Sequence, residues 1–194
     1  MYSVRCIGTD APVVVSIAVP LGKAMMACPS CATYWAANAA ASCVDPAHPH
    51  TQFELHVHRA VVALPDGTRV VPVSFDPDAP YMRDAPPDFG LYLDDRWQPP
   101  WPHDHVAWPD FGTPHDAKEL EVALTSLLDR ARDGQHVELG CLGGHGRTGT
   151  ALACLAIMTG SPRDEAVAWV RAIYCDRAIE SENQEQFIST FTRP

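Results

Sequence analysis

At 194 residues, with 46% hydrophobic and 20% charged side chains, the chain has the make-up of an ordinary globular protein and is long enough to bury a sizeable core in one domain. The formal net charge is −10, and only two lysines stand among its fourteen basic residues. This argues against nucleic acid or an acidic membrane as the main partner, because both reward clustered cations. Seven cysteines, an odd number without regular spacing, argue against a disulfide scaffold and predict free thiols in a reducing, cytoplasmic setting.

No apolar run approaches the ~18 residues of a membrane span. Val13–Leu21 is short and lacks a basic start, so it reads as a buried strand over Val13–Val19 rather than a signal core. The first fifty residues hold four of the cysteines (Cys6, Cys28, Cys31, Cys43) and an alanine-rich stretch, and they end in the turn-prone Asp45-Pro46-Ala47-His48-Pro49. A boundary there gives a cysteine-containing segment, 1–50, packed on a main domain, 51–194. Cys28-Pro29-Ser30-Cys31 has the spacing of half a zinc site that Cys6, Cys43, His48 and His50 would complete. Structural thiols and a redox pair are the alternatives.

From Thr51 the chain alternates: Phe53, Leu55 and Val57 face one way. Ala60–Leu64 and Arg69–Val73 then flank Pro65-Asp66-Gly67, a hairpin signal. The proline-rich stretches 76–87 and 98–104 are expected to be irregular surface segments, with Gly90–Leu93 a strand between them. Pro114–Arg132 carries leucines and alanines at helical spacing, acids early and arginines late, and Gly134 ends it. His136–Leu139 is a short strand, Thr148–Met158 a buried helix, and Ser161-Pro162 opens a further helix with Ser161 as its cap. That helix should present Ala166, Val167, Val170, Ile173 and Tyr174 inward. A last helix covers Glu182–Phe191. Strand–helix alternation predicts an α/β domain: a central mixed sheet flanked by helices, with a glycine-rich loop between a strand and a buried helix.

That loop, Gly140-Cys141-Leu142-Gly143-Gly144-His145-Gly146-Arg147-Thr148, is where chemistry concentrates. Successive amides in such a turn, together with the helix start, make a concave anion site. A cysteine at its mouth sits in positive potential and is expected to ionise readily. Arg147 can fork onto phosphate oxygens, and Thr148 can donate to the thiolate. A nucleotide-binding loop would need a lysine followed by serine or threonine, and this loop has Arg-Thr instead.

Cys141–Gly149 resembles the phosphate loop of the protein tyrosine and dual-specificity phosphatase superfamily. Two further segments stand in the order that resemblance implies. Trp108-Pro109-Asp110-Phe111-Gly112 is similar to the family's mobile Trp-Pro-Asp loop, and Ala178–Gln184 is similar to the segment that places the hydrolytic water. The resemblance implies a small bacterial-type hydrolase working through a phosphocysteine, with Cys141, Arg147, Asp110 and Thr148 catalytic. Leu142, Gly143, Gly144, His145, Gly146, Glu180 and Gln184 would line the substrate. No cofactor and no metal are called for. The expected partner is a phosphorylated protein bearing phosphotyrosine, with phosphoserine and phosphothreonine open. The alternatives are an inactive phosphate-binding module and a phosphatase of a small metabolite or nucleotide.

Two departures stand out. Gly140 occupies a position where many relatives have histidine, and Glu180 one where larger relatives have glutamine. Glu180 is open to three roles: water placement, ion pairing with Arg147, or surface capping. His145 is open between substrate contact and solvent. His103, His105 and His115 read as solvated loop histidines, with a metal reading as the alternative.

Overall fold

The computed structural model of the protein describes residues 58–75 and 80–192, together with the backbone of four short strands near the N-terminus. The chain falls into two compact units, Met1–His56 and Val57–Pro194. In the first, β1 (Tyr2–Val4) pairs antiparallel with β2 (Val13–Val15), and β3 (Met25–Ala27) with β4 (Tyr34–Ala36). The strand expected at Val13–Val19 is thus present over its first three residues. Its remainder, the Cys28–Cys31 motif with Cys6, Cys43, His48 and His50, and the alternation at Phe53–Val57 lie outside the described residues.

The second unit is built on a five-stranded sheet. Its strands are β5 (Val62–Ala63), β6 (Arg69–Ser74), β7 (Phe89–Tyr92), β8 (His103–His105) and β9 (Val137–Cys141), in the order β5-β6-β9-β7-β8. Only β5 runs antiparallel, joined to β6 through the expected turn, where the Leu64 amide donates to the Thr68 carbonyl. The other strands are parallel, so their C-terminal ends share one edge, where ligands of such sheets bind. In the register Cys141 lies beside Ser74 and Gly140 beside Tyr92.

Alternation along the strands sorts the two faces of this mixed α/β sheet. Val70, Phe89, Leu91, Val137 and Leu139 point to the helices and join one large core. That core is closed by α1 (Ala117–Arg132), α2 (Gly146–Thr159), α3 (Ala166–Ile173) and α4 (Glu182–Thr190). Every residue of α2 is buried, and each of its buried leucines contributes about 1.5–3 kcal/mol. On the other face Val71, Val73 and Tyr92 meet Phe75, Trp97 and Trp101, an aromatic layer to which no helix of the described residues contributes.

Three expectations need correction. Residues 98–104 are not wholly irregular surface: Trp101 is buried, and His103 opens the edge strand β8. Pro102 enters this pairing only as an acceptor: its carbonyl takes the Gly90 amide of β7, a bond that needs no proline N–H. Ser161 does not cap α3; its hydroxyl turns to the Pro162 carbonyl, and a 3-10 turn at Arg163–Glu165 precedes that helix. Ile173, at the last turn of α3, is exposed rather than inward-facing. The cap of α1 is Asp116, whose carboxylate accepts from the Lys118 and Glu119 amides. Ser181 caps α4 in the same way by accepting from the Gln184 amide.

Candidate active site

Strand β9 ends at Cys141, and α2 begins at Gly146, so residues 142–145 make the connecting loop at the C-terminal edge of the sheet. Its conformation demands glycine at Gly144, which has φ +72°. Gly140 explains the first departure noted above. A Cβ there would come within 2.5 Å of the Val73 side chain and 2.8 Å of its carbonyl oxygen. No histidine fits between β9 and β6, and the loop is braced by other contacts instead. The Phe75 amide donates to the Leu142 carbonyl, and the Leu93 amide to the Gly140 carbonyl.

Cys141 is buried, and the Thr148 hydroxyl donates to its sulfur at 3.1 Å. No disulfide occurs among the described residues; Cys141, Cys154 and Cys175 are thiols. Cys154 sits inside α2, and complete burial pushes its thiol up, which leaves it unreactive.

Arg147, in the first turn of α2, is buried and held from behind. Its Nη1 donates to the carbonyls of Leu93 and Trp108, each at 3.1 Å. Nη2 lies 3.1 Å from Asp94 Oδ2 and 3.5 Å from Asp110 Oδ1. Among the described residues neither Nε nor Nη2 has a partner with hydrogen-bond geometry. Asp94 is therefore the anchor of Arg147, the ion-pair role weighed above for Glu180. Burial opposes ionisation of Asp94, but hydrogen bonds from Arg96 and the Arg147 charge outweigh it and hold its carboxyl below the usual range. Asp94 was missed in the sequence, where Asp94-Asp95-Arg96 looks like any charged turn.

Asp110 is half-buried in a tight turn, in which the Gly112 amide bonds the Pro109 carbonyl and Trp108 Nε1 donates to the Gly112 carbonyl. This turn is tied to the segment before α4. The Ser181 hydroxyl donates to the Phe111 carbonyl at 2.8 Å, and Gln184 Nε2 to the Gly112 carbonyl at 3.3 Å. Phe111 and Ile179, one on each side of the junction, both have positive φ, at 59° and 65°. Gln184 is fully buried, and its Oε1 accepts from the Glu180 amide, so both ends of the amide engage backbone. Glu180 as a residue is exposed, yet its carboxyl turns in so far that a Cβ on Gly146 would meet Oε2 at 2.5 Å. Burial of that end and the neighbouring Asp110 charge push its pKa up to about 7, against the Gly146 amide and Arg147.

His145 turns its ring toward His58. It is half-buried, with Nε2 3.2 Å from Nε2 of buried His58. Leu142 and Gly143 are partly exposed along the loop. His103 and His105 are strand residues whose rings bond the Trp101 and Trp97 carbonyls at 2.7 Å, so they are not solvated loop histidines. His115 is exposed. A cleft of about 540 Å³ lined by Arg69, Arg132 and His136 lies at the opposite, N-terminal ends of β6 and β9, away from every group above.

This constellation has counterparts in known proteins. Residues 98–188 match the family model described as Swiss Army Knife protein, DSP-PTPase phosphatase domain. Two uncharacterised proteins of Methanocaldococcus jannaschii are 31% and 30% identical; each match spans 53% of this chain, and 75% and 69% of those proteins. Among solved structures, a kinase-associated phosphatase with its catalytic-site cysteine replaced by serine shares the fold. Its TM-score is 0.57 at 14% identity, over 68% of this chain and 92% of that one. The ordered motifs, the parallel-edged sheet and these matches agree: the chain belongs to the protein tyrosine and dual-specificity phosphatase superfamily and carries a phosphatase domain of that kind.

Proposed function

We propose that residues 51–194 form a catalytic domain that hydrolyses phosphate monoesters through a phosphocysteine, with phosphotyrosine in proteins as the leading substrate and phosphoserine and phosphothreonine within the same chemistry. The observation that carries this reading is the Thr148 hydroxyl on the Cys141 sulfur at 3.1 Å, at the first turn of a helix whose side chains offer no cap. A hydroxyl donor and a helix N-terminus both place positive potential at the attacking sulfur.

In the first step Cys141 Sγ attacks phosphorus, the S–P bond forms and the P–O ester bond breaks. Asp110, 3.5 Å from Arg147, gives its proton to the leaving oxygen. The amides of 142–147 with Arg147 Nε and Nη2 hold the three equatorial oxygens, whose charge spreads in the transition state. In the second step water attacks phosphorus, Asp110 takes its proton, the S–P bond breaks and orthophosphate leaves. The Trp108–Gly112 turn acts as a lid, and its ties to Ser181 and Gln184 are the latch that would be remade on closing. Glu180 and Gln184 position that water through the backbone they hold. A reducing, cytoplasmic setting suits a thiolate nucleophile.

Turnover of an aryl phosphate, a phosphotyrosine peptide and a phosphoserine peptide by wild type, Cys141→Ser and Asp110→Asn tests this. Expected are burst release of the aryl alcohol by wild type, at least a ~10⁴-fold loss in Cys141→Ser, and about 10²–10⁴-fold in Asp110→Asn. Wild type no faster than Cys141→Ser on any of the three would end the reading. A nucleotide preferred over both peptides would replace the protein substrate. No helix among the described residues is long and apolar enough to cross a membrane.

A further inference from the structure

At the loop, three potential ligands converge from three separate stretches of the chain. His58 precedes β6, His145 lies in the loop, and Cys175 follows α3. We propose that His58, His145 and Cys175 form a binding site for a borderline divalent cation of the Zn²⁺ type, which shares the phosphate loop with Cys141 through His145.

The distances carry this. The two Nε2 atoms are 3.2 Å apart, and one ligand atom from each of the three residues lies within 4.8 Å of the others. Two imidazole nitrogens at metal bonds of about 2.0–2.1 Å in a tetrahedral shell are themselves a little over 3 Å apart. The histidines already have that spacing, and the Cys175 sulfur needs to close by roughly an ångström to join them at a Zn–S bond of about 2.3 Å.

Each ligand is also held by contacts that do not involve the other two. The His58 amide donates to the Ser74 hydroxyl at 3.1 Å, and the Ser74 amide returns to the His58 carbonyl. The His58 ring packs against Tyr174 at 4.5 Å between centroids, and the Tyr174 hydroxyl donates to the Gly144 carbonyl. Cys175 is anchored through its amide to the Val170 carbonyl at the end of α3. His58 and Cys175 are buried and His145 half-buried, so ordering three side chains costs little on binding. Two imidazoles and a thiolate are a donor set that suits Zn²⁺ and excludes Mg²⁺ and Ca²⁺, which take oxygen. Three protein ligands leave the fourth position to water. Because His145 belongs to the loop, a cation here would tie the loop to the sheet and to α3.

The test reads metal rather than turnover, so it stands apart from the phosphatase reading. Co²⁺ is titrated into the full chain carrying Cys141→Ser, so that the loop nucleophile adds no thiolate signal. The expected result is one equivalent showing tetrahedral cobalt absorption and a thiolate-to-cobalt charge-transfer band, displaced by Zn²⁺. Adding Cys175→Ser should remove the charge-transfer band. Adding His58→Asn should weaken Co²⁺ by at least about 100-fold, more than an outer-shell change costs. Thermal melts check that each variant folds. If one does not, Cys175→Ala and His58→Gln take their places. Cys28→Ser with Cys31→Ser should leave the band in place. No band in the parent chain, a band that survives Cys175→Ser, or one lost only with Cys28 and Cys31 overturns the proposal.

Discussion

Two arginines with buried side chains, Arg83 and Arg147, each face a buried carboxylate next to the same strand, and they are used differently. Arg83 meets Glu138 of β9 through two hydrogen bonds, Nε to Oε1 at 2.6 Å and Nη2 to Oε2 at 3.1 Å. Its Nη1 donates to the carbonyls of Pro80 and Met82, and its guanidinium lies 5.4 Å from the rings of Trp97 and Trp101. Tyr92 donates to the same carboxylate and accepts from Trp101, so Arg83, Glu138, Tyr92 and Trp101 satisfy one another, while Trp97 Nε1 has no partner among the described residues. Arg147 has its carbonyls and its carboxylate too, but Asp94 meets it without hydrogen-bond geometry, and Nε has no partner among the described residues. A buried cation whose donors are all matched is part of the architecture. One whose donors are matched only on the rear side is arranged to take an anion on the other.

The strongest way to break this comparison is to unpair the architectural arginine. Glu138→Ala leaves the Arg83 charge buried without its partner, at a cost of about 3–5 kcal/mol. A thermal melt should show Tm lower by roughly 10 °C, while the fraction still folded keeps its turnover. Loss of turnover with an unchanged melt would reverse the roles assigned to the two residues. Arg147→Lys should do the opposite. A lysine keeps the charge near Asp94 but not the fork, so kcat should fall by about 10²–10³-fold with a smaller Tm change than Glu138→Ala.

Asp94→Asn is expected to fall between these two. The amide keeps the shape of the anchor but not the charge that fixes Arg147, so steady-state kinetics should show kcat lower by about 10-fold and weaker inhibition by orthophosphate. Arg96 bonds the same carboxylate, but its side chain is 67% exposed, and Arg96→Ala should leave both quantities close to wild type. An Arg96→Ala variant as impaired as Asp94→Asn would move the anchor role from Arg147 to the surface pair.

These long-range partnerships mark how far the sequence could be read. Cys141, Arg147 and Thr148 sit within eight residues on one strand–loop–helix unit, so local pattern and backbone geometry alone brought them together. The helices were legible for the same reason, since apolar spacing and a closing glycine such as Gly134 are local, whereas the caps at Asp116 and Ser181 appear only in the structure. Asp94 meets Arg147 across 53 residues, and His58 meets His145 across 87. No spacing rule reaches that distance. Residues 98–104 misled because their prolines suggested surface loop, whereas Trp101 covers one face of the sheet and the polar run from His103 pairs through its backbone. Gly140 looked like a weakness in the motif. Its neighbours Val73 and Trp97, distant in sequence, show that no side chain fits there.

The smallest effect sharpens the comparison from the acidic side. Glu180 differs from Asp94 and Glu138 in that no arginine among the described residues bonds its carboxyl. Burial of its inner end and the charge of Asp110 raise its pKa to about 7. Between its usual value near 4.5 and 7 the folded chain keeps a proton that the unfolded chain releases, so stability must fall as pH rises through that window. Above 7 the ionised carboxylate sits against the loop at Gly146, where it repels an incoming phosphate. Wild type should therefore show KM rising above pH 7 with little change in kcat. Glu180→Gln should show a flat KM over that range and no loss of Tm from pH 5 to 7. A KM rise that persists in Glu180→Gln would place the titrating group elsewhere in the site and leave Glu180 as a surface cap on α4.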